Sequence, residues 1–139
     1  MSSEADCIFC RIVAGTIPCV RLHEDAETLA FMDINPVHDG HCLVIPKVHY
    51  PTIFDITPDA AAAASRAVAK LAGAVQRALA PDGMNLLQAN GPGAAQSVRH
   101  VHWHVLPRRN GDGLLMNWQP KPGDLAQITA IAERIRAEL

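Results

Sequence analysis

Apolar positions along the chain change period several times, and each change marks an element. Residues 7 to 14, Cys-Ile-Phe-Cys-Arg-Ile-Val-Ala, read as a short turn or helix stopped by Gly15 and by Pro18 just beyond it. Val20 to His23 and Thr28 to Met32 read as two short strands around the polar turn Glu24-Asp25-Ala26-Glu27, hence a hairpin. After Asn35-Pro36 and Asp39-Gly40, the run His41 to Ile45 is a short apolar segment closed by Pro46, as expected of a buried strand ending at a surface loop. A longer period follows. Thr57 is a good N-cap, Pro58 suits the first helical position, and Asp59 places negative charge in the first turn. Ala64, Val68, Leu71, Val75 and Leu79 then recur at helical spacing until Pro81, and alanine fills much of the rest, giving a narrow face that packs closely on a sheet. From Asp124 the residues Leu125, Ile128, Ala132, Ile135 and Leu139 repeat the pattern, so a second amphipathic helix closes the chain, free to pack internally or on a partner. Strands grouped apart from two helices predict an α+β fold.

The most informative stretch is Gln96-Ser97-Val98-Arg99-His100-Val101-His102-Trp103-His104-Val105-Leu106-Pro107. Its alternation predicts a strand that Ser97 starts, with His100, His102 and His104 on one face and Val101, Trp103 and Val105 on the other, under the long helix. A chance run of histidines on a solvated face is the plainest reading, and three consecutive same-face positions weaken it. A single catalytic zinc held by all three is disfavoured, because the outer two Cα atoms of an extended strand stand roughly 13 Å apart. A third reading makes His102 a nucleophile toward phosphorus, since a neutral imidazole is largely unprotonated at neutral pH. Such chemistry needs a donor for the phosphate oxygens, help for the leaving group, and an acceptor that holds the nucleophile's other nitrogen in one tautomer. His104 and Ser97 are candidates for the first two, and the loop Gly91-Pro92-Gly93-Ala94-Ala95 has the composition of a phosphate-binding nest. That loop is not a dinucleotide fingerprint, because Gln96 takes the third glycine position and no helix follows, and no P-loop motif occurs.

Composition narrows the class. The chain has 139 residues, 49% of them hydrophobic, which predicts one compact domain over 1–139 rather than two. Charged residues are 19% and the formal net charge is -2, so no electrostatic footprint for nucleic acid or anionic lipid is expected. The start lacks a basic, apolar leader and no stretch is long and apolar enough to span a bilayer, which predicts a cytoplasmic protein with no membrane partner. Four cysteines are too few for a disulfide scaffold. Cys7 and Cys10 form a C-x-x-C pair open to metal, redox or simple burial, whereas Cys19 and Cys42 fit no ligand spacing and read as small core residues.

The run His-Val-His-Trp-His-Val-Leu closely resembles the signature of the histidine triad, or HIT, family. The resemblance extends upstream through Asp-Cys-Ile-Phe-Cys-Arg-Ile-Val-Ala-Gly-Thr-Ile-Pro, Leu-Ala-Phe-Met-Asp-Ile-Asn-Pro and Gly-His-Cys-Leu-Val-Ile-Pro-Lys-Val-His, so that a core of 6–107 is covered, with a tail and helix over 108–139. It looks most like the Hint-like bacterial branch, and implies an antiparallel sheet of about five strands with one long and one C-terminal helix, in a homodimer. It also implies hydrolysis at the α-phosphate of purine nucleoside phosphoramidates or related nucleotidyl conjugates. Cleavage of dinucleoside polyphosphates is the alternative within the family, and nucleotide sensing with little turnover the alternative of another class.

Carried over by resemblance, His102 is the nucleophile that forms a nucleotidyl-histidine, His104 contacts the phosphate, Ser97 assists the leaving group and His41 supports the triad. Asp33 is the ribose-binding carboxylate, while Ile8, Phe9, Ile12, Phe31 and Ile34 surround the base; Asn90 and Gln96 complete the nucleotide contacts. Two positions depart from the family pattern: Ala95 where glycine is usual before Gln-Ser, and Ala89 where an amide side chain is common. In a zinc-containing subset the C-x-x-C pair is completed by two histidines, here His49 and His100, so the resemblance implies a closed structural zinc site at Cys7, Cys10, His49 and His100.

Overall fold

The computed structural model describes residues 4–115 and 120–139, so the tail around Trp118 lies outside the described residues. Five strands, β1 Arg21–Glu24, β2 Thr28–Met32, β3 Cys42–Pro46, β4 Gly83–Gln88 and β5 Trp103–Arg108, form one sheet in the order β1-β2-β3-β5-β4. Every neighbouring pair is antiparallel. Three α-helices accompany it: α1 Ile8–Val13, α2 Pro58–Leu79 and α3 Leu125–Arg136. The α+β class follows directly, with the strands and helices segregated rather than alternating.

Each face of the sheet has its own core. Alternation along β2 and β3 sends Ala30, Cys42 and Val44 to one side, joined there by Val105 and packed against Ala67, Val68, Leu71 and Val75 of α2. Burying each of those larger aliphatic side chains contributes about 1.5–3 kcal/mol. Leu29, Phe31, Leu43 and Ile45 go to the other side, under Phe9 and Ile12 of α1. Helix α2 begins as its sequence demands, with the Thr57 hydroxyl accepting from the Ala60 amide at 3.2 Å. It ends at Ala80, which takes the left-handed conformation at φ 45° and donates its N–H to the Gln76 carbonyl. Helix α1 starts at Cys7, whose sulfur accepts the Cys10 amide. Helix α3 buries none of its side chains, so its apolar stripe is not packed internally.

The histidine stretch departs from expectation. The strand starts at Trp103, not at Ser97, and His100 and His102 lie in the irregular segment leading into it. The ladder from β3 ends with the pair Val44 and Trp103. Two residues further along β3 stands Pro46, which has no N–H to donate. Its carbonyl faces the Nε2 of His100 at 2.8 Å, and Val101 turns its own N–H to the Tyr50 carbonyl at 2.7 Å. Strand β4 also lies outside the elements that periodicity marked.

Candidate active site and metal cluster

His102 and His104 point into a cavity of about 360 Å³ bounded by α1, β2 and the segment before β5. Ile8, Phe9, Ile12, Phe31, Asp33, Ile34 and Ser97 all line it, so most of the residues singled out from the sequence converge there. Ile17, Pro18, Cys19, Asn35 and Val98 line it as well. Sequence reasoning did not single these out, although Ile17, Pro18, Asn35 and Val98 lie inside the quoted motifs and Cys19 directly follows one; membership of those stretches was the only available signal. Cys19, expected as a core residue, is half-buried on this wall, while Cys42 is buried as expected.

Asn90 and Gln96 are not brought to this cavity. Asn90 Oδ1 accepts the Ile53 amide and its Nδ2 donates to Gln88, while Gln96 donates to the carbonyls of Pro51 and Val98 and accepts from the Gly91 amide. Both side chains brace loops. In the loop expected as a nest, the amides of Ala94, Ala95 and Gln96 bond carbonyls within the loop, and that of Gly91 goes to Gln96, so these four are already engaged.

Hydrogen bonds assign each ring nitrogen of the triad. His102 Nδ1 lies 2.7 Å from the His100 carbonyl, an acceptor, so Nδ1 carries the proton and Nε2 keeps its lone pair. The Val37 amide donates to His41 Nδ1 at 3.2 Å, which places the proton of neutral His41 on Nε2. That Nε2 stands 2.8 Å from His104 Nδ1 and 3.5 Å from an Asp33 oxygen. His104 therefore accepts at Nδ1 and presents an Nε2 N–H donor. The result is an unprotonated nitrogen on His102 beside an N–H on His104, two rings whose centroids are 5.0 Å apart. Burial keeps all three rings neutral: it lowers His41 and His102 from the ordinary histidine range and pushes His104 down to about 4.

Behind the cavity, Cys7, Cys10, His49 and His100 bring four donor atoms within 4.8 Å of one another. A tetrahedral zinc with ordinary Zn–N and Zn–S bonds has N–N edges of about 3.3 Å and N–S edges of about 3.5 Å. Here the two Nδ1 atoms are 3.3 Å apart, and three of the four sulfur-to-Nδ1 distances are 3.3, 3.5 and 3.6 Å. Because His100 Nε2 donates to Pro46, its Nδ1 is a free lone pair aimed at the cluster, with the backbone partner a metal-bound imidazole needs. This donor set fits a closed metal site. Burial and the neighbouring Cys7 push the Cys10 thiol up to about 12 without a cation, and a bound cation reverses that preference.

Asp33, His41 and His104 form a second group of three potential ligands. Its chemistry is different. A metal on His41 Nε2 would require the proton on Nδ1, directly against the Val37 N–H that already occupies that position. The second group is thus a hydrogen-bonded set, and the first a donor set that fits a metal. Phe9 stands between them, with its ring edge-on to His100 at 5.8 Å and to His102 at 5.2 Å.

The sheet, the two histidine clusters and the cavity beside them define a histidine-triad protein of the α+β class. Residues 14–111 match the HIT domain, and the chain belongs to the HIT family. It is 42% identical over 142 residues to the Hit protein of Bacillus subtilis, covering 97% of this chain and 98% of that one. It is also 42% identical to an adenosine 5'-monophosphoramidase of Schizosaccharomyces pombe, over 96% of this chain and 98% of the relative. A zinc-bound histidine triad protein from Mycobacterium smegmatis superposes with a TM-score of 0.77 at 36% identity, covering 97% of this chain and 99% of its own. Among the described residues no helix is long and apolar enough to cross a membrane.

Proposed function

We propose that this chain hydrolyses purine nucleoside phosphoramidates or related nucleotidyl conjugates at the α-phosphate, through a nucleotidyl-histidine on His102. The observation that carries the reading is the tautomer set: a buried imidazole with Nδ1 tied to the His100 carbonyl and Nε2 unprotonated at the wall of a cavity of nucleoside size. In the first step the Nε2 lone pair forms a bond to phosphorus. The phosphorus–nitrogen bond to the leaving group breaks, and the departing amine keeps the electron pair and takes a proton relayed through the Ser97 hydroxyl. In the second step water attacks phosphorus, the pair returns to Nε2, and a proton is lost to solvent, leaving the nucleoside monophosphate. The His104 N–H stabilises charge on the phosphoryl oxygens. Asp33 meets the ribose, and Ile8, Phe9, Ile12, Phe31 and Ile34 meet the base. The activity in the name of the fission-yeast relative supports this substrate class.

Zinc is the metal best matched to two thiolates and two imidazoles at these spacings, and it would be structural, since four protein ligands leave no open position. It would tie the amino-terminal segment to the residue two before the nucleophile. Free cysteines suit a reducing, cytoplasmic setting, and the single domain 1–139 would work as a homodimer.

Release of nucleoside monophosphate from an adenosine phosphoramidate and, in parallel, from a diadenosine polyphosphate tests the reading. Turnover of the phosphoramidate, lost in His102→Ala, is expected. Preference for the polyphosphate would move the chain to the other activity within the family, and tight nucleotide binding without turnover would make it a sensor.

A further inference from the structure

Helix α3 cannot stand as a lone element. It is 12 residues long, capped by Asp124, and carries Leu125, Ile128, Ile131 and Ile135 down one side with Leu139 just beyond its end, all of them exposed. Glu133 and Arg134 take the opposite side. A helix this short is marginal in water by itself and is held by the packing of its apolar face. Its own chain supplies no such packing, since α3 buries none of its side chains.

The same chain carries an apolar groove of about 510 Å³ on the α2 face of the sheet, opposite the triad. The strands contribute Leu22, Met32 and Cys42, and only His23, Asp39 and Lys70 bring charge or a ring nitrogen to it. Its α2 wall consists of two rows at a spacing of four, Lys70-Ala74-Ala78 and Leu71-Val75-Leu79. Ridges at that spacing are what a second helix packs between, and the small, exposed Ala74 and Ala78 let it lie close. Lengths agree: Lys70 to Leu79 covers about 14 Å of helix axis and Ile128 to Ile135 about 11 Å. Among the described residues, none of those lining the groove belongs to α3.

A helix that needs cover and a groove shaped for a helix thus lie apart on one chain. Two copies satisfy both at once by mutual exchange, each α3 in the groove of the other, closed by a two-fold axis. The 12 residues of α3 and the 12 that line the groove put two dozen on each copy, within the roughly 20–30 a side of a stable interface. We infer that two copies of this chain exchange α3 and that the groove between α2 and strands β1 to β3 is its seat. The inference is independent of the hydrolase reading and gives the homodimer an interface.

The full-length chain is the sample. One chain carries Ala78→Cys and a second, size-tagged chain carries Ile128→Cys, Ile131→Cys or Ile135→Cys; the two are co-expressed and treated with a short flexible bismaleimide, with the wild-type pair setting the background from native thiols. Expected is a product joining the two chains at one or more of the three positions, and a product of two-chain mass when both cysteines are placed in one chain. A product closed within one chain means that α3 fills its own groove, and no product above background means that it fills neither; each overturns the inference. Hydrogen exchange reads the contact without a cross-link. Serine and isoleucine have similar helix propensity, so α3 amides exchanging at least about tenfold faster in the Ile128→Ser, Ile135→Ser double variant than in wild type report lost packing, and equal rates overturn the inference. In sedimentation, a two-chain mass without exchange of α3 overturns the inference and leaves the homodimer on another surface, whereas a one-chain mass overturns both.

Discussion

Four imidazoles of one amino-acid type do four jobs here, and their partners decide which. His100 gives its Nε2 proton to Pro46 and turns Nδ1 to the cysteines; His102 gives its Nδ1 proton to His100 and turns Nε2 to the cavity. His41 takes a proton's worth of contact from Val37 and passes its own to His104. On the proposed mechanism His102→Ala should lower nucleoside monophosphate release by about a thousandfold or more while the chain still folds, with Tm lowered because a buried ring and its bond to the His100 carbonyl are also lost. His104 carries a pH consequence. Burial holds it near 4 in the folded protein against an ordinary 6.5, so the unfolded chain takes up the proton first. Its share of stability is fully present above about pH 6.5 and is lost as pH falls toward about 4, a slope that urea titrations across this window will show and that His104→Gln should flatten. The roles of these rings were legible in the sequence only through resemblance; spacing marked the histidines as a set, but a ring nitrogen's proton is assigned by carbonyls and amides brought from elsewhere in the chain.

Among the elements, those with a strong period were the most legible. Thr57, Pro58 and the apolar stripe from Ala64 to Val75 announced α2, and the hairpin and the strand before Pro46 followed from alternation between turns. β4 was not, because it is an edge strand whose residues are half-buried or exposed and include Asn85 beside an exposed Leu86, so its pattern shows no alternation. The start of β5 was misjudged for a cause outside its own sequence, the missing N–H of Pro46 on the neighbouring strand. Two element-scale expectations follow. Ala80→Gly at the left-handed end of α2 should raise stability by about 1 kcal/mol, visible as a few degrees in Tm. Cys7→Ala should lower metal content per chain, measured by atomic emission, and lower Tm, with activity falling in step because His100 holds the carbonyl that fixes His102.

At the scale of the whole molecule, the sheet separates two tasks. One face carries α2 and the larger aliphatic core; the other carries α1, Phe9 and the histidines, so the chemistry sits on the face with the shorter helix. Treating the intact protein with a chelator should therefore melt the α1 face first, read as loss of the near-ultraviolet signal and of nucleotide binding before loss of helical signal from α2. Two main-chain groups fix the hydrogen-bond polarity of the site, the Val37 amide for His41 and His104 and the His100 carbonyl for His102, one donor and one acceptor. Neither group titrates, and neither is removed by exchanging a side chain. That polarity is thus written in atoms common to every residue, which makes it robust to most point changes and invisible to an alanine scan of the residues that supply them: Val37→Ala keeps the amide, and Val37→Pro, which deletes it, would free His41 to reverse its bond to His104.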